Sequence, residues 1–313
     1  MASSNECIDL AMESGERVAS QDQEVPSQSS VDGPVTKPKI IWKNWLNLAS
    51  YIANAIVTYT SLTGVYGGTN TELSSKYQTL VTPSGWAFSI WGPIFMWEAV
   101  FVLAQFFPSF RQSILVMKVS PWWWSLCIMQ IAWTVAFAQE QITLSLIFML
   151  SILGSLLAIA GSTDGLRMTA LEYVLLRAPF SLQLGWIIAA SVVNINVQAD
   201  AAKSSQQFLL AIAVLSNAIV LAIVTIFTFA VRSPDPIIAL VVAWAFAGIA
   251  TELNNPINLN DPTRFNASIW NEVILGGLKS VAICISVLSL ALVVIATALR
   301  VGRTNQESKR VEL

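Results

Sequence analysis

The chain has 313 residues, 55% of them apolar and only 12% charged, with a mean hydropathy of +0.62 and a formal net charge of −2. A soluble globular chain carries about 25% charged residues, so this composition excludes one; the unbroken apolar runs also exclude a β-barrel, whose strands alternate apolar with polar. Histidine is absent, which removes the commonest metal ligand and general base, and no Gly-rich phosphate loop, Gly-x-Ser-x-Gly elbow or basic aromatic patch points to nucleotide, hydrolase or nucleic-acid chemistry.

In chain order, residues 1–42 read as a disordered cytosolic tail. Met1 to Pro38 is rich in Ser, Glu, Gln, Asp and Pro and has no apolar period. It lacks the apolar core of a signal peptide and is too acidic for a transit peptide, so the first span is expected to serve as the targeting signal. Crossing a hydrocarbon core about 30 Å thick takes about 20 apolar residues, and the backbone must then satisfy itself as a helix. Eight such helices are expected: Leu46 to Tyr66, Trp86 to Phe107, Trp122 to Phe137, Ile142 to Gly161, Tyr173 to Asn194, Phe208 to Val231, Ile237 to Thr251 and Val273 to Leu299. The first is diluted by Asn47, Asn54, Thr58, Thr60 and Ser61, the third and seventh are short, and the last is long enough to tilt. Residues 301–313 form a charged C-terminal tail. The expected fold is therefore all-α, a polytopic transmembrane bundle.

Charge placement orients it. With the N-terminus in the cytosol, that side holds Lys37, Lys39, Lys43, Arg111, Lys118, Arg167, Arg177, Arg232, Arg300, Arg303, Lys309 and Arg310, against Lys76, Lys203 and Arg264 on the other. The positive-inside rule then places both termini in the cytosol. The only Asn-X-Ser/Thr sequon, Asn266-Ala267-Ser268, falls outside on this topology, which makes Asn266 a glycosylation candidate. An endomembrane or the plasma membrane is the expected location.

Three stripes at helical spacing stand out. Trp86-Ala87-Phe88-Ser89-Ile90-Trp91 opens the second span after Thr82-Pro83-Ser84-Gly85, and Phe88, Trp91, Phe95 and Glu98 share a face. On the third span Gln130, Trp133 and Phe137 align; on the fifth, Gln183, Trp186, Ala190 and Asn194 align. Each stripe joins large aromatics to an amide or carboxyl. If the three face one another they line an apolar slot with a few polar handles, the character of a small-molecule site; packing between helices is the alternative reading of the same residues. Glu98 is harder to assign to packing, because a carboxylate near mid-membrane costs at least about 3 kcal/mol and turns to an interior. Lys279 is close enough to its span's end to snorkel. Pro121-Trp122-Trp123-Trp124 reads as an interfacial anchor, and Trp244-Ala245-Phe246 echoes Trp86-Ala87-Phe88 over three residues. Cys7, Cys127 and Cys284 lie far apart, without zinc spacing.

These motifs resemble the TspO/MBR family of tryptophan-rich sensory proteins and the mitochondrial translocator protein, closest to its long tryptophan-rich sensory protein-like members. The family's second helix opens Pro-Gly-Trp-x-Phe; here it reads Ser84-Gly85-Trp86-Ala87-Phe88, with the next Trp, Trp91, one residue early. The third-helix Asn-x-x-Trp with a later Phe corresponds to Gln130, Trp133 and Phe137, and the fifth-helix pattern to Trp186, Ala190 and Asn194, with the usual proline displaced to Pro179. The resemblance implies a five-helix core over residues 43–195, followed by three additional helices over residues 196–300. It implies a receptor- or sensor-like protein that binds a flat hydrophobic molecule (a tetrapyrrole, sterol or lipid) through Trp86, Phe88, Trp91, Trp133, Trp186 and Ala190. No cofactor and no enzymatic activity are expected. Membrane lipids are expected partners, nucleic acid is not, and a homodimer is an open option. The competing function is a multi-span transporter of a small solute or hydrophobic metabolite, which would suit Glu98 and the prolines Pro93 and Pro179 near span ends.

Overall fold

The computed structural model describes residues 39–311 except 257, 262–265 and 267–268, with side chains as far as Arg303. The expectations for Met1 to Pro38, for Arg264, Lys309 and Arg310, and for the Ala267-Ser268 part of the sequon lie outside the described residues.

The described elements are helical: α1 (Trp42–Ser61), α2 (Asn70–Lys76), a 3-10 turn (Gly85–Ile90) running into α3 (Trp91–Ala104), α4 (Ile114–Ala138), α5 (Ile142–Thr163), the three-residue α6 (Ala170–Glu172) continuing through a π turn (Tyr173–Arg177) into α7 (Ala178–Ala201), α8 (Gln206–Phe229), α9 (Pro236–Glu252) and α10 (Glu272–Val311). With the continuous segments joined, six of them are long and apolar enough to cross a membrane. The 17-residue α9 is apolar but shorter, and the 20-residue α1 is less apolar. The molecule is an integral multi-pass membrane bundle of helices.

The weak hydropathy of α1 has a structural cause. Asn44, Asn47 and Asn54 are all fully buried on its inner face. Asn47 donates to Gln105 Oε1 (2.8 Å) and Ser120 Oγ (2.9 Å), and its own Oδ1 accepts from Trp124 Nε1 (2.7 Å). Trp123, also fully buried, donates to the Asn47 carbonyl (3.0 Å). The expected interfacial role of the tryptophan triplet is therefore corrected: only Trp122 is exposed, and its two neighbours tie α4 to α1. The third span also begins earlier than expected. Ser113 accepts from Val116 N and caps the helix at Ile114, so Pro121 lies inside it.

α7 is the central helix, buried along almost its whole length, as a helix apolar on all sides should be. Its entry is shaped by Pro179, which cannot donate to the carbonyl four residues back. The π turn absorbs this shift, with Ala178 N donating to Tyr173 O. Near the start of α7, Phe180 packs edge-on against Phe101 of α3 and Trp123 of α4, with ring centroids 4.8 and 5.6 Å away. Further along, Gly185 lets α9 approach: a Cβ there would lie 2.7 Å from Val241 Cβ. One of the three C-terminal spans therefore belongs to the packing around α7.

Spanning segments joined by short connections run antiparallel, so the α3–α4, α5–α6 and α8–α9 connections share one end of the bundle; the last two touch, Asp164 accepting from Arg232 N and Ser233 N, and the first meets the start of α1, Asn44 donating to Arg111 O. That end is basic. Among the described residues it carries Lys39, Lys43, Arg111, Lys118, Arg167, Arg177, Arg232, Arg300 and Arg303, against Lys76, Lys203 and Lys279 at the other.

Candidate functional site

The α1–α3 connection, residues 62–84, runs across the less basic end and is tied down at several points. Gly67 has φ 137° and passes so close to α4 that a Cβ would lie 2.2 Å from the Ala138 carbonyl, which also accepts from Gly68 N (2.9 Å). α2 is held by a reciprocal cap between Thr69 and Glu72. At its end, Tyr77 OH donates to Glu140 Oε2 (2.7 Å), and Lys76 pairs with the same oxygen. Gln78 donates to Glu252 at the end of α9, and Ser84 N donates to Gly248 O (3.0 Å). Glu140 sits at φ 57° in a Schellman-type ending of α4, with Gln141 N on Ala136 O (2.8 Å) and Glu140 N on Phe137 O (2.9 Å). Hydrogen bonds from Lys76 and Tyr77 hold the Glu140 carboxyl below its ordinary pKa. Burial, then the bond to Glu140, pushes the Tyr77 phenol up to about 12.

Beneath this loop lies a cavity of about 40 Å³. Phe88 from the 3-10 turn, Trp91 from α3, Trp133 and Phe137 from α4, and Trp186 from α7 line it. Phe88 meets Trp186 edge-on at 5.6 Å, Trp91 meets Trp186 edge-on at 6.4 Å, and Trp133 and Phe137 stack 9° from parallel at 5.3 Å. The polar handle is Asn194, which accepts from Trp133 Nε1 (3.2 Å) and donates to Ala190 O (3.0 Å). Ala190 also lines the cavity. The winding of the chain explains the early second tryptophan. In a 3-10 turn, residues i and i+3 eclipse, so Trp91 lies over Phe88, a position an α-helix would assign nearer to residue 92.

Five of the twelve expected ligand-site residues fall outside this lining. Trp86 is turned away: it is 41% exposed and packs edge-on against Trp244 at 4.7 Å, while Trp244 Nε1 donates to Ala87 O (3.0 Å). The two halves of the Trp-Ala-Phe echo therefore meet in space, and Gly248 permits it, since a Cβ there would lie 2.8 Å from the Ala87 methyl. Phe95 is buried behind Trp91, at 6.0 Å, and against Tyr59 at 5.5 Å. Gln183 donates to Gln130 Oε1 (2.8 Å), an interhelical tie between α7 and α4. Glu98 is fully buried, and neither of its oxygens has a hydrogen-bond partner among the described residues. Lys279 does not pair with it but donates to Asn254 Oδ1 (2.6 Å). Asn266, at the loop end of the bundle, donates its amide to Asp200 Oδ1 (2.8 Å).

Sequence reasoning missed the roof and one wall. Tyr77, Thr82 and Pro83 close the cavity from the loop, and Ala245 and Ile249 of α9 close one side. The loop residues carry no helical period, and the α9 residues are small or aliphatic. The Trp244 echo was the only signal pointing to that helix.

No curated protein and no solved structure matches the chain. The profile of the TSPO-like protein family matches residues 44–295, which takes in α9 and most of α10 as well as the first five spans. Over that extent the match is more than a local motif, and the chain belongs to the TSPO-like protein family.

Proposed function

We propose that this protein binds a flat, largely apolar molecule (a tetrapyrrole, sterol or lipid) in the aromatic cavity, as a receptor or sensor that does no chemistry on it. One observation carries the reading: five aromatic rings from three membrane-spanning segments line one cavity beneath a tied loop, with the Asn194 amide bonded to Trp133 among them. Ring faces and edges suit a π-rich or planar ligand, with each well-placed ring worth about 0.5–1.5 kcal/mol beyond its buried area. The free space of about 40 Å³ holds one or two waters, whereas drug-sized ligands occupy pockets of about 300–1,000 Å³. The described arrangement is thus the closed form, and binding requires residues 62–84 to lift and the rings to part.

The test is titration of the purified protein in nanodiscs with protoporphyrin or cholesterol, read by tryptophan fluorescence. Trp186→Ala and Ala190→Phe are each expected to weaken binding about tenfold, roughly 1.4 kcal/mol; Trp186 is buried, so its truncation also lowers the unfolding temperature, and affinity is compared below the unfolding transition of each variant. Unchanged affinity in both variants would return these residues to packing. Glu98 favours a second reading, transport of a small solute, because a buried carboxyl without a partner in a span commonly marks a pathway. Solute flux into proteoliposomes, lost in Glu98→Gln, separates transport from binding alone.

A further inference from the structure

A second cavity, of about 160 Å³, lies at the opposite, basic end of the bundle. Its apolar walls come from Leu157, Ala160 and Gly161 of α5 and from Phe227 and Val231 at the end of α8, and Arg177, Asp164 and Ser233 supply its polar edge. Arg177 is 5% exposed. Its guanidinium has five N–H donors, yet Nη1 is buried with no hydrogen-bond partner among the described residues. The nearby carboxylate does not meet that need. Asp235 Oδ2 forms a buried ion pair with Arg177 Nη2 at 3.7 Å, but at that distance accepts no hydrogen bond from it and accepts one from Ser181 Oγ. Its Oδ1 accepts from Tyr173 OH (3.1 Å) and Ile237 N (3.2 Å). Asp164 is likewise committed, accepting from Ser233 N (2.8 Å) and Arg232 N (3.1 Å).

We propose that this cavity is an oxyanion site, in which a phosphate or carboxylate group is held by the free donors of Arg177 and the Ser233 hydroxyl. A guanidinium matches such groups geometrically, and a buried cation short of hydrogen bonds is stabilised by an anion more than by water alone. Arg232 and Arg303 add positive charge nearby; Arg303 is anchored to the Val231 and Arg232 carbonyls (2.7 and 2.8 Å). The volume holds about five waters, enough for a headgroup oxyanion. The walls name the carrier: apolar side chains lead from the guanidinium to Leu157, which is 40% exposed on the outer surface of α5. An acyl chain lying there fits a lipid with an anionic headgroup. The site is separate from the aromatic cavity and stands or falls independently of it.

The full-length protein is compared in phosphatidylcholine nanodiscs alone, with added phosphatidic acid, and with inorganic phosphate in the buffer, by thermal unfolding and by native mass spectrometry of retained lipid. Phosphatidic acid is expected to raise Tm by about 3–5 °C and to stay bound. A comparable rise with inorganic phosphate would identify a free anion as the occupant of the same site. Arg177→Gln is expected to abolish the response, but it also breaks the buried ion pair with Asp235, so Gly161→Leu is the decisive variant. It leaves Arg177 intact and adds bulk at a residue that lines the cavity, where a Cβ meets nothing within 4 Å; retention of the lipid should fall at least tenfold with Tm in phosphatidylcholine unchanged. No response of the wild type to either anion, or a full response in Gly161→Leu, overturns the proposal.

Discussion

Asn47 is a small polar residue in a membrane span, and it joins three helices. It bonds to Gln105 at the end of α3 and to Ser120, Trp123 and Trp124 of α4. Removing the side chain takes the acceptor from the Trp124 indole N–H and one of two donors from Gln105 Oε1, which keeps Asn44 Nδ2 (3.2 Å), and a buried group left without its partner costs about 1–3 kcal/mol. Asn47→Leu is therefore expected to destabilise the bundle by about 2–4 kcal/mol, measured by unfolding in mixed micelles. Glu98→Gln should cost far less, because it breaks no hydrogen bond among the described residues. In the sequence Asn47 registers only as an interruption of an apolar run, and Glu98 as a costly charge whose surroundings are not given. Hydropathy records that a polar atom is present; whether it is satisfied depends on partners some 60 to 75 residues away.

The loop over residues 62–84 is the element most open to control. Its tie to α4 runs through Glu140, whose folded-state pKa is depressed by Lys76 and Tyr77. Such a group contributes its stabilisation above the ordinary carboxyl value of about 4.3 and loses it as pH falls through the lowered folded value. Tyr77, raised to about 12, stays a donor throughout the neutral range. The loop should therefore be held at neutral pH and loosen in acid. Hydrogen exchange of residues 62–84, corrected for intrinsic rates, should be faster at low pH, and Glu140→Gln should give the same acceleration at neutral pH. Because Lys76 and Glu140 are partly exposed, high salt should weaken the tie as well. An exchange rate indifferent to both pH and Glu140→Gln would show that the loop is held by its other ties, Gly68 to Ala138, Gln78 to Glu252 and Ser84 to Gly248. The 3-10 turn after this loop was illegible in sequence for a related reason. An α-helical wheel spaces Trp86, Phe88 and Trp91 differently from a turn of three residues, and only the tighter winding puts Trp91 over Phe88 and turns Trp86 towards Trp244.

At the scale of the whole molecule, the concentration of Lys and Arg at one end predicts that both termini and the α3–α4, α5–α6 and α8–α9 connections face the cytosol. Protease or label accessibility at tags on each terminus should report the cytosolic side, and the Asn266 loop should report the opposite one; a cytosolic Asn266 loop would invert the orientation. Of the eight spans expected, six are long and apolar enough among the described residues. The all-helical membrane class and the family were legible in the sequence, because long apolar runs leave the backbone no alternative to helices and the aromatic motifs survive at short range. So was most of the aromatic lining, since Trp133 and Phe137, or Trp186, Ala190 and Asn194, are brought together by one helix's own period. Tertiary structure alone decided what lies between elements. α9 approaches α7 and the 3-10 turn only because Gly185 and Gly248 present no side chain, the loop closes the cavity through contacts with α4 and α9, and Arg177 is left with unused donors because Asp235 is occupied by Ser181 and Tyr173. Periodicity along one helix fixes which residues share a face, but which faces meet is set by shape and hydrogen-bond partners on other helices, and that information is spread over the whole chain.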